Sequence, residues 1–439
     1  MKSADKGKTW VSIASDLPIR GTVYCIKQDH VDPNLLFVGT EFGAYFSNNG
    51  GLNWTKLGGL PTIAVYDLDI QKRENDLVAA TFGRGFYVLD NYSLLRDLSK
   101  TNLDSKAHLF PVKTALLYVP ADPLGLEGTG FQGHNMWAAD NPSFGANFYL
   151  HVKDEHKTLK TARQEKEKAL EKKGAEVLYP SFDELRKEDA EVKAQLIWTI
   201  TDANGKQIRR MTSSPEKGLN NLTWDLRATS TNPIGKGGNG FLVTPGMYAV
   251  SIDLIKNDSV EVLISKQSFE VKGLNNQTLI AKDPQALAEF RVSLAELNRQ
   301  VSGASSQLEE VKEQIDLFEN AIINYPTTDL TLISQIRHVK KIIASCELQI
   351  WGDQLKKSKE FETTPSISER LGMVEYQLYD NTSGVTNTHR ANKLMVEEEF
   401  KNLKLELTQV YEMATSIELK LQNLNIPYLK NKGQSWKHD

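Results

Sequence analysis

Cysteine is almost absent from this 439-residue chain, which has two, Cys25 and Cys346. They fall in segments of different pattern, so no disulfide is expected, and paired metal-ligand spacing is missing. Long apolar runs are absent as well. No stretch approaches the roughly 18–20 residues that cross a bilayer as a helix, and no charged-then-apolar leader opens the chain. Neither sign of charge is in excess, with 52 Lys and Arg against 56 Asp and Glu and a net charge of −4. That balance gives no reason to expect nucleic acid or an anionic membrane as partner. Signatures of chemistry are lacking too: there is no Gly-rich phosphate loop, no G-x-S-x-G and no H-E-x-x-H. His134 and His151, with Asp140 and Asp154, show no local ligand spacing, so neither a metal nor a cofactor is expected. The length alone suggests about two to four domains.

What the chain does have is a repeat. Ser3-Ala4-Asp5-Lys6-Gly7-Lys8-Thr9-Trp10 fits S-x-D-x-G-x-T-W at every fixed position. A degenerate copy stands at Ser47-Asn48-Asn49-Gly50-Gly51-Leu52-Asn53-Trp54. The spacing of about 44 residues is what one four-stranded propeller blade needs. Asp5 or Asn49 can accept backbone N–H groups of the turn, as in an Asx-turn. Gly7 and Gly51 supply a conformation that a Cβ resists. Trp10 and Trp54 lead into the next strand, and Ser3, Thr9 and Ser47 tie the turn. Every role is structural, so Asp5 is a poor candidate for catalysis.

The strands repeat as well. Leu35–Phe46 and Asp76–Tyr87 each read as an apolar strand, a Gly-containing turn and an aromatic strand, with Thr40 echoed by Thr81. Together these residues carry the resemblance to the Asp-box of neuraminidase-type and sortilin-type β-propellers. About two blades fit within residues 1–98, whereas closed propellers need roughly four to eight. Two blades alone leave open sheet edges. The expectation is therefore that further blades lie upstream of Met1, or that the reading frame is truncated.

Residues 99–143 are rich in Pro and Gly and read as a linker with short strands, and Gly145–Val152 as a true strand. Residues 144–272 read as a β-sandwich with a helical insertion at about 155–190. The insertion holds a run of helix formers ended by Gly174, then Ser181-Phe182-Asp183-Glu184 with capping-box spacing. Asn204-Gly205 marks a hairpin. Gly218…Asn220…Trp224-Asp225 followed by Pro245-Gly246…Tyr248 resembles the small immunoglobulin-like domain of the flagellar hook-capping protein. Trp224 and Tyr248 are expected in the sandwich core rather than on a sugar-binding surface.

Residues 283–430 read as an antiparallel helical bundle. Asp283-Pro284 supplies an N-cap and a first-turn proline. Leu287, Phe290, Leu294, Leu297, Val301, Ala304, Leu308, Val311, Ile315, Phe318 and Ile322 then alternate at intervals of three and four, a heptad seam. Leu332–Ile350, Ile367–Leu378 and Val396–Leu424 carry the same spacing. The seam reads as an intramolecular core, with a homodimer through the helical tail as the alternative.

The whole order of parts resembles the C-terminal portion of bacterial BNR-repeat, glycosyl hydrolase-like and sortilin-type propeller proteins. Thr81, Gly83, Arg84, Gly85, Leu89 and Asp90 match that family's last blade, while Phe82 stands where His is usual. The resemblance implies a secreted or envelope protein. Of the first 98 residues, Glu41, Asp67, Asp69, Asp90 and Arg84 are the groups with chemical potential, and Glu41 and Arg84 are the candidate ligand-binding pair. No three-Arg cluster or evident carboxylate pair accompanies them, so this chain alone is expected to be non-catalytic. Two readings follow: a binder of glycan or peptide, or a glycoside hydrolase whose catalytic residues lie on blades missing from the chain.

Overall fold

A computed structural model describes residues 1–98, 103–120, 133, 139–232, 238–274, 279, 281–326 and 328–424. Part of the Pro- and Gly-rich linker, including His134, and residues 425–430 of the expected helical region lie outside the described residues. The chain is a mixed β plus α protein with several sheets followed by helices. It divides into two units: the first comprises Met1–Leu116, Pro120–Asp225 and Met247–Lys272, and the second the remaining segments.

The first unit opens with β1 (Val23–Gln28), β2 (Leu36–Thr40), β3 (Gly43–Ser47) and β4 (Thr55–Lys56), hydrogen-bonded in that order as an antiparallel sheet. A three-stranded sheet, β5 (Val65–Gln71), β6 (Asp76–Thr81) and β7 (Phe86–Leu89), repeats the first three of those strands, and the short α1 (Leu94–Asp97) follows. Leu35, Phe37, Ala44, Val65, Leu68, Leu77, Ala79 and Tyr92 form the core shared by both sheets. The opposite face of the first sheet buries Leu36, Val38, Tyr45 and Trp54 against Ile13 and Leu17. Because β2 is covered on both faces, its apolar residues run consecutively instead of alternating. The sheets lie close together at Gly39, where a Cβ would lie 2.5 Å from the Val65 carbonyl oxygen and 2.7 Å from Cys25 Sγ.

Two further sheets complete the strand-rich part. One holds β8 (Ala107–Leu109), β10 (Ala146–Val152) and β13 (Gly218–Trp224) in the order β13-β10-β8. The other runs β12 (Gln207–Ser213), β11 (Gln195–Asp202), β16 (Gly246–Lys256), β17 (Ser259–Gly273) and β9 (Ala115–Leu117). They meet through aromatic rings: Phe148 lies 5.9 Å from Trp198 and 5.3 Å from Phe269, and Trp224 lies 5.4 Å from Tyr248. Trp224 and Tyr248 are thus buried, as their pattern leads one to expect. The helices α2 (Leu159–Lys172) and α3 (Phe182–Ala190) bury no residue. Ser181 and Glu184 form a capping box, and Arg163 ties the two helices by pairing with Glu188.

In the second unit, α4 (Pro284–Asn324), α5 (Leu332–Trp351), α7 (Ile367–Tyr379) and α8 (Asn387–Asn423) share one core, with α6 (Gln354–Lys357) as a connecting turn. Every heptad position named on α4 is buried, from Leu287 to Ile322. Asp283 caps α4 by accepting from the Ala286 N–H, and Pro284 takes the first turn, where its missing donor costs nothing. β14 (Arg227–Thr229) and β15 (Asn239–Leu242) pair within this unit, and Phe241 joins the helical core.

Candidate functional site

The two eight-residue turns close by the same network. In the first, Asp5 Oδ1 accepts from the Thr9 N–H at 2.8 Å and from Ser3 Oγ at 2.8 Å, Asp5 Oδ2 accepts from Thr9 Oγ1 at 2.7 Å, and the Gly7 N–H donates to Ser3 Oγ at 2.7 Å. In the second, Asn49 Oδ1 accepts from the Asn53 N–H at 3.0 Å and Ser47 Oγ at 2.9 Å, and the Gly51 N–H donates to Ser47 Oγ at 2.8 Å. Gly7 and Gly51 hold φ of 89° and 92°, which a side chain strains. The Thr9 amide, then its hydroxyl and that of Ser3, hold the Asp5 carboxyl down to about 2. Both Asp5 oxygens are therefore engaged in the turn, and neither is free to act as acid or base. The second turn replaces the Thr9 hydroxyl bond with one from Asn49 Nδ2 to Asn53 Oδ1. The tryptophans differ in burial: Trp54 is 8% exposed and donates its indole N–H to Ile13 O, while Trp10 is 58% exposed and donates to Gly7 O of its own turn.

Glu41 lies on the β2–β3 turn and Phe82 and Arg84 on the β6–β7 turn, and the two turns are built alike. Thr40 Oγ1 donates to Gly43 O and Thr81 Oγ1 to Gly85 O, each at 2.8 Å. The Glu41 N–H donates to Thr22 O, and the Phe82 N–H to Ala64 O. Glu41 Oε2 accepts from the Thr22 N–H at 3.3 Å and stays exposed. Arg84 is exposed, with no ion pair among the described residues. No hydrogen bond joins Glu41 to Arg84, and they do not share a repeat position: Phe82 is the counterpart of Glu41, and Arg84 lies two residues further along its turn.

Beside those turns stand aromatic residues that the sequence pattern did not single out. The β1–β2 register breaks between Val23 and Cys25, and the β5–β6 register between Val65 and Asp67. Each break is a bulge, and the extra residue is a tyrosine, Tyr24 in one sheet and Tyr66 in the other. Bulges re-aim a side chain, and here both rings are turned to solvent. Tyr24, Tyr66 and Phe82 are 38%, 47% and 68% exposed. The Tyr24 and Tyr66 ring centroids are 4.4 Å apart at 42°, and Phe82 meets Tyr66 edge-on at 5.7 Å. Partial burial, then the neighbouring Tyr66 hydroxyl, then the Glu41 charge push the Tyr24 phenol up. The signal in the sequence is the dipeptide Val-Tyr recurring at Val23-Tyr24 and Val65-Tyr66.

The other acidic groups are used locally. Asp69 pairs with Lys27 at 3.2 Å, and the Ile70 amide, followed by Lys27, lowers its carboxyl. Asp67 Oδ1 accepts from the Leu68 N–H. Burial, reinforced by Asp76, raises Asp90. Asp29 accepts from Arg96, Tyr92 and two backbone amides. An apolar cavity of about 190 Å³ lies between Ala44, Leu60 and Tyr87. In the second unit a polar cleft of about 510 Å³ lies among Asp353, Lys356, Glu362 and Glu399. Among the described residues no cluster of His, Cys, Asp and Glu is arranged to hold a metal ion, and no helix is long and apolar enough to cross a membrane. Both cysteines are free thiols.

No family model matches the chain, and no curated protein sequence matches it. Among solved structures it is similar to two of the extracellular domain of BT4673 from B. thetaiotaomicron, described as a one-component system and as a hybrid two-component system. Identities are 9% and 10%, and the TM-score is 0.14 in each case. Each match covers 58% of this chain and 25% of the other, so it spans about a quarter of those proteins.

Proposed function

We propose that the chain is a binding protein of the bacterial cell exterior, which holds glycan or peptide on the β1–β7 surface. In this reading the two repeated sheets are blades of an Asp-box propeller. The aromatic-cored pair of sheets is an immunoglobulin-like sandwich, and sandwich and helices serve as accessory modules. The matching turn networks at Ser3–Trp10 and Ser47–Trp54 support the propeller assignment, and the exterior location rests on the family resemblance alone. One observation carries the choice of binding over catalysis. Carboxylates here hold backbone and cations, as Asp5, Asp29 and Asp69 do, while Glu41 stays exposed near Tyr24 and Arg84 on the turn that carries Phe82. Glycoside hydrolysis ordinarily needs two carboxylates facing one sugar.

The test is a screen of the full chain on glycan and peptide arrays, run in parallel with a panel of fluorogenic glycosides. Saturable binding without release of fluorophore is expected. A second reading, a glycoside hydrolase with its catalytic groups on blades outside this chain, draws on the same box turns. Release of fluorophore by a longer protein, abolished by changing a carboxylate outside these residues, would favour it.

A further inference from the structure

We infer that Tyr24, Tyr66 and Phe82 form a stacking platform for a neutral sugar ring, with Glu41 at its edge accepting hydrogen bonds from sugar hydroxyls. This deepens the binding reading above and rests on it. Both tyrosines occupy the one extra residue of a bulge, in two sheets that otherwise keep register. A bulge that recurs at the same place and turns a ring outward each time is a device for presenting that ring. The three rings touch in series and remain substantially exposed. Such a surface suits a ligand with apolar faces and a polar rim.

The spacing selects among such ligands. A cage for a quaternary ammonium group needs rings separated widely enough to admit the cation between them. With centroids 4.4 Å apart, Tyr24 and Tyr66 pack on each other and leave no such gap. Polyproline helices dock in grooves lined by aromatic rings, and rings packed on each other leave no groove between them, only their outer faces and edges. A hexose meets the remaining requirements: its C–H face covers rings, and its hydroxyls reach Glu41 and the tyrosine hydroxyls. Charge decides which hexose. Glu41 flanks Tyr24 and Asp67 follows Tyr66, with Arg84 on the Phe82 turn and Lys56 against the Gly43 turn, while Asp69 and Lys27 neutralise each other. The surroundings carry both signs, and the carboxylate at the edge of the rings repels an anionic sugar, which favours neutral sugars over sialylated or uronic ones.

The experiment titrates the full chain with cello-oligosaccharide and lactose-terminated probes, sialyllactose and decaproline. Binding of a neutral probe is expected, weakened about tenfold or more by Tyr66→Ala or Phe82→Ala, the size of effect that losing one stacked aromatic face gives. Tyr66→Phe keeps the ring and retains most of the affinity. Tyr376→Ala, on an exposed position of α7, leaves it unchanged. Saturation-transfer NMR from aromatic protons to sugar C–H protons on the unaltered protein gives the same answer without relying on a variant's folding. Sugar binding undiminished in folded Tyr66→Ala and Phe82→Ala overturns the platform and leaves the binding reading standing. Preference for sialyllactose or decaproline overturns the ligand class alone. No binding of any probe overturns the inference, and silence on the wider arrays as well removes the binding reading itself.

Discussion

Arg96 Nε and Nη2 each lie 2.7 Å from a carboxylate oxygen of Asp29, joining the loop after β1 to the helix after β7. The Tyr92 hydroxyl donates to the same carboxylate at 2.6 Å, and the Asp32 N–H at 2.7 Å. Burial pushes the Asp29 carboxyl up, but these partners, Arg96 foremost, outweigh it and hold the group well below the usual carboxylate range. Asp29 is buried, so removing Arg96 leaves an uncompensated charge inside the unit. Arg96→Ala should cost about 3–5 kcal/mol, measured by denaturant unfolding. The pH sign follows from a depressed folded value. The stabilisation is complete above the unfolded pKa of about 3.9 and is lost as pH falls through the folded value. Unfolding midpoints of Asp29→Asn should therefore decline less steeply than those of the unaltered protein below about pH 4. Parallel slopes would remove Asp29 from the acid response.

The two box tryptophans should behave oppositely although they occupy the same position of the pattern. Trp54 packs with Leu36, Val38 and Tyr45 and donates its indole N–H to Ile13 O at 2.8 Å. Trp10 packs on nothing comparable and is mostly exposed. Trp54→Ala should cost about 3–5 kcal/mol, the range for a buried aromatic. Trp10→Ala should change stability by about 0.5 kcal/mol or less, as an exposed substitution does. Equal losses in thermal or denaturant unfolding would show that Trp10 is covered in solution.

These outcomes bear on what a sequence can disclose. The helical seam was legible up to its last position, since heptad spacing is local: the seam positions from Leu287 to Leu421 are buried, and Leu424, past the end of α8, is only partly covered. The turn networks were legible for the same reason: each bond in them spans four residues or fewer. Tyr24 and Tyr66 were not, because a bulge appears only once two strands are paired, and alternation along one strand cannot mark it. Nor was the placement of Leu226–Gly246 with the helices, which rests on contacts between segments far apart in sequence: Phe241 in the helical core, Arg291 on Leu242 O and Arg227 paired with Asp380. Arg291 was hidden differently. Its neighbour Phe290 carries the heptad, and nothing local shows that the adjacent cation is buried as well.

Arg291 faces carbonyls instead of a carboxylate. It donates to Leu242 O at 3.1 Å, to Leu378 O at 2.8 Å and to Asn381 O, so one guanidinium gathers three chain segments of the second unit. Burial, with Arg227 nearby, lowers its pKa to about 10. Arg291→Leu preserves volume roughly but strips these acceptors of their donor. A loss of about 2–4 kcal/mol is expected, as for buried groups left unsatisfied. Arg291→Lys supplies fewer donors from one point and should recover part of it. Full stability in Arg291→Leu would mean that the carbonyls find other partners.

Asp5 offers the sharpest check on the box turn, because Asn49 does the same work in the second copy without a charge. The Thr9 amide and hydroxyl and the Ser3 hydroxyl all donate to Asp5, and together they hold its carboxyl at about 2. A carboxyl with a depressed folded value stabilises its turn above the unfolded pKa, about 3.9, and releases it as pH falls through the folded one. The Asp5 side-chain carbon followed by NMR should therefore titrate near 2. The Thr9 and Gly7 amide signals should shift with it. Asp5→Asn should abolish that titration while keeping the amide shifts of the folded turn, since Asn49 Oδ1 holds the equivalent Asn53 N–H at 3.0 Å. Asp5→Ala should lose both. A midpoint near the ordinary value, with Thr9 indifferent to it, would mean that the carboxylate does not close the turn in solution.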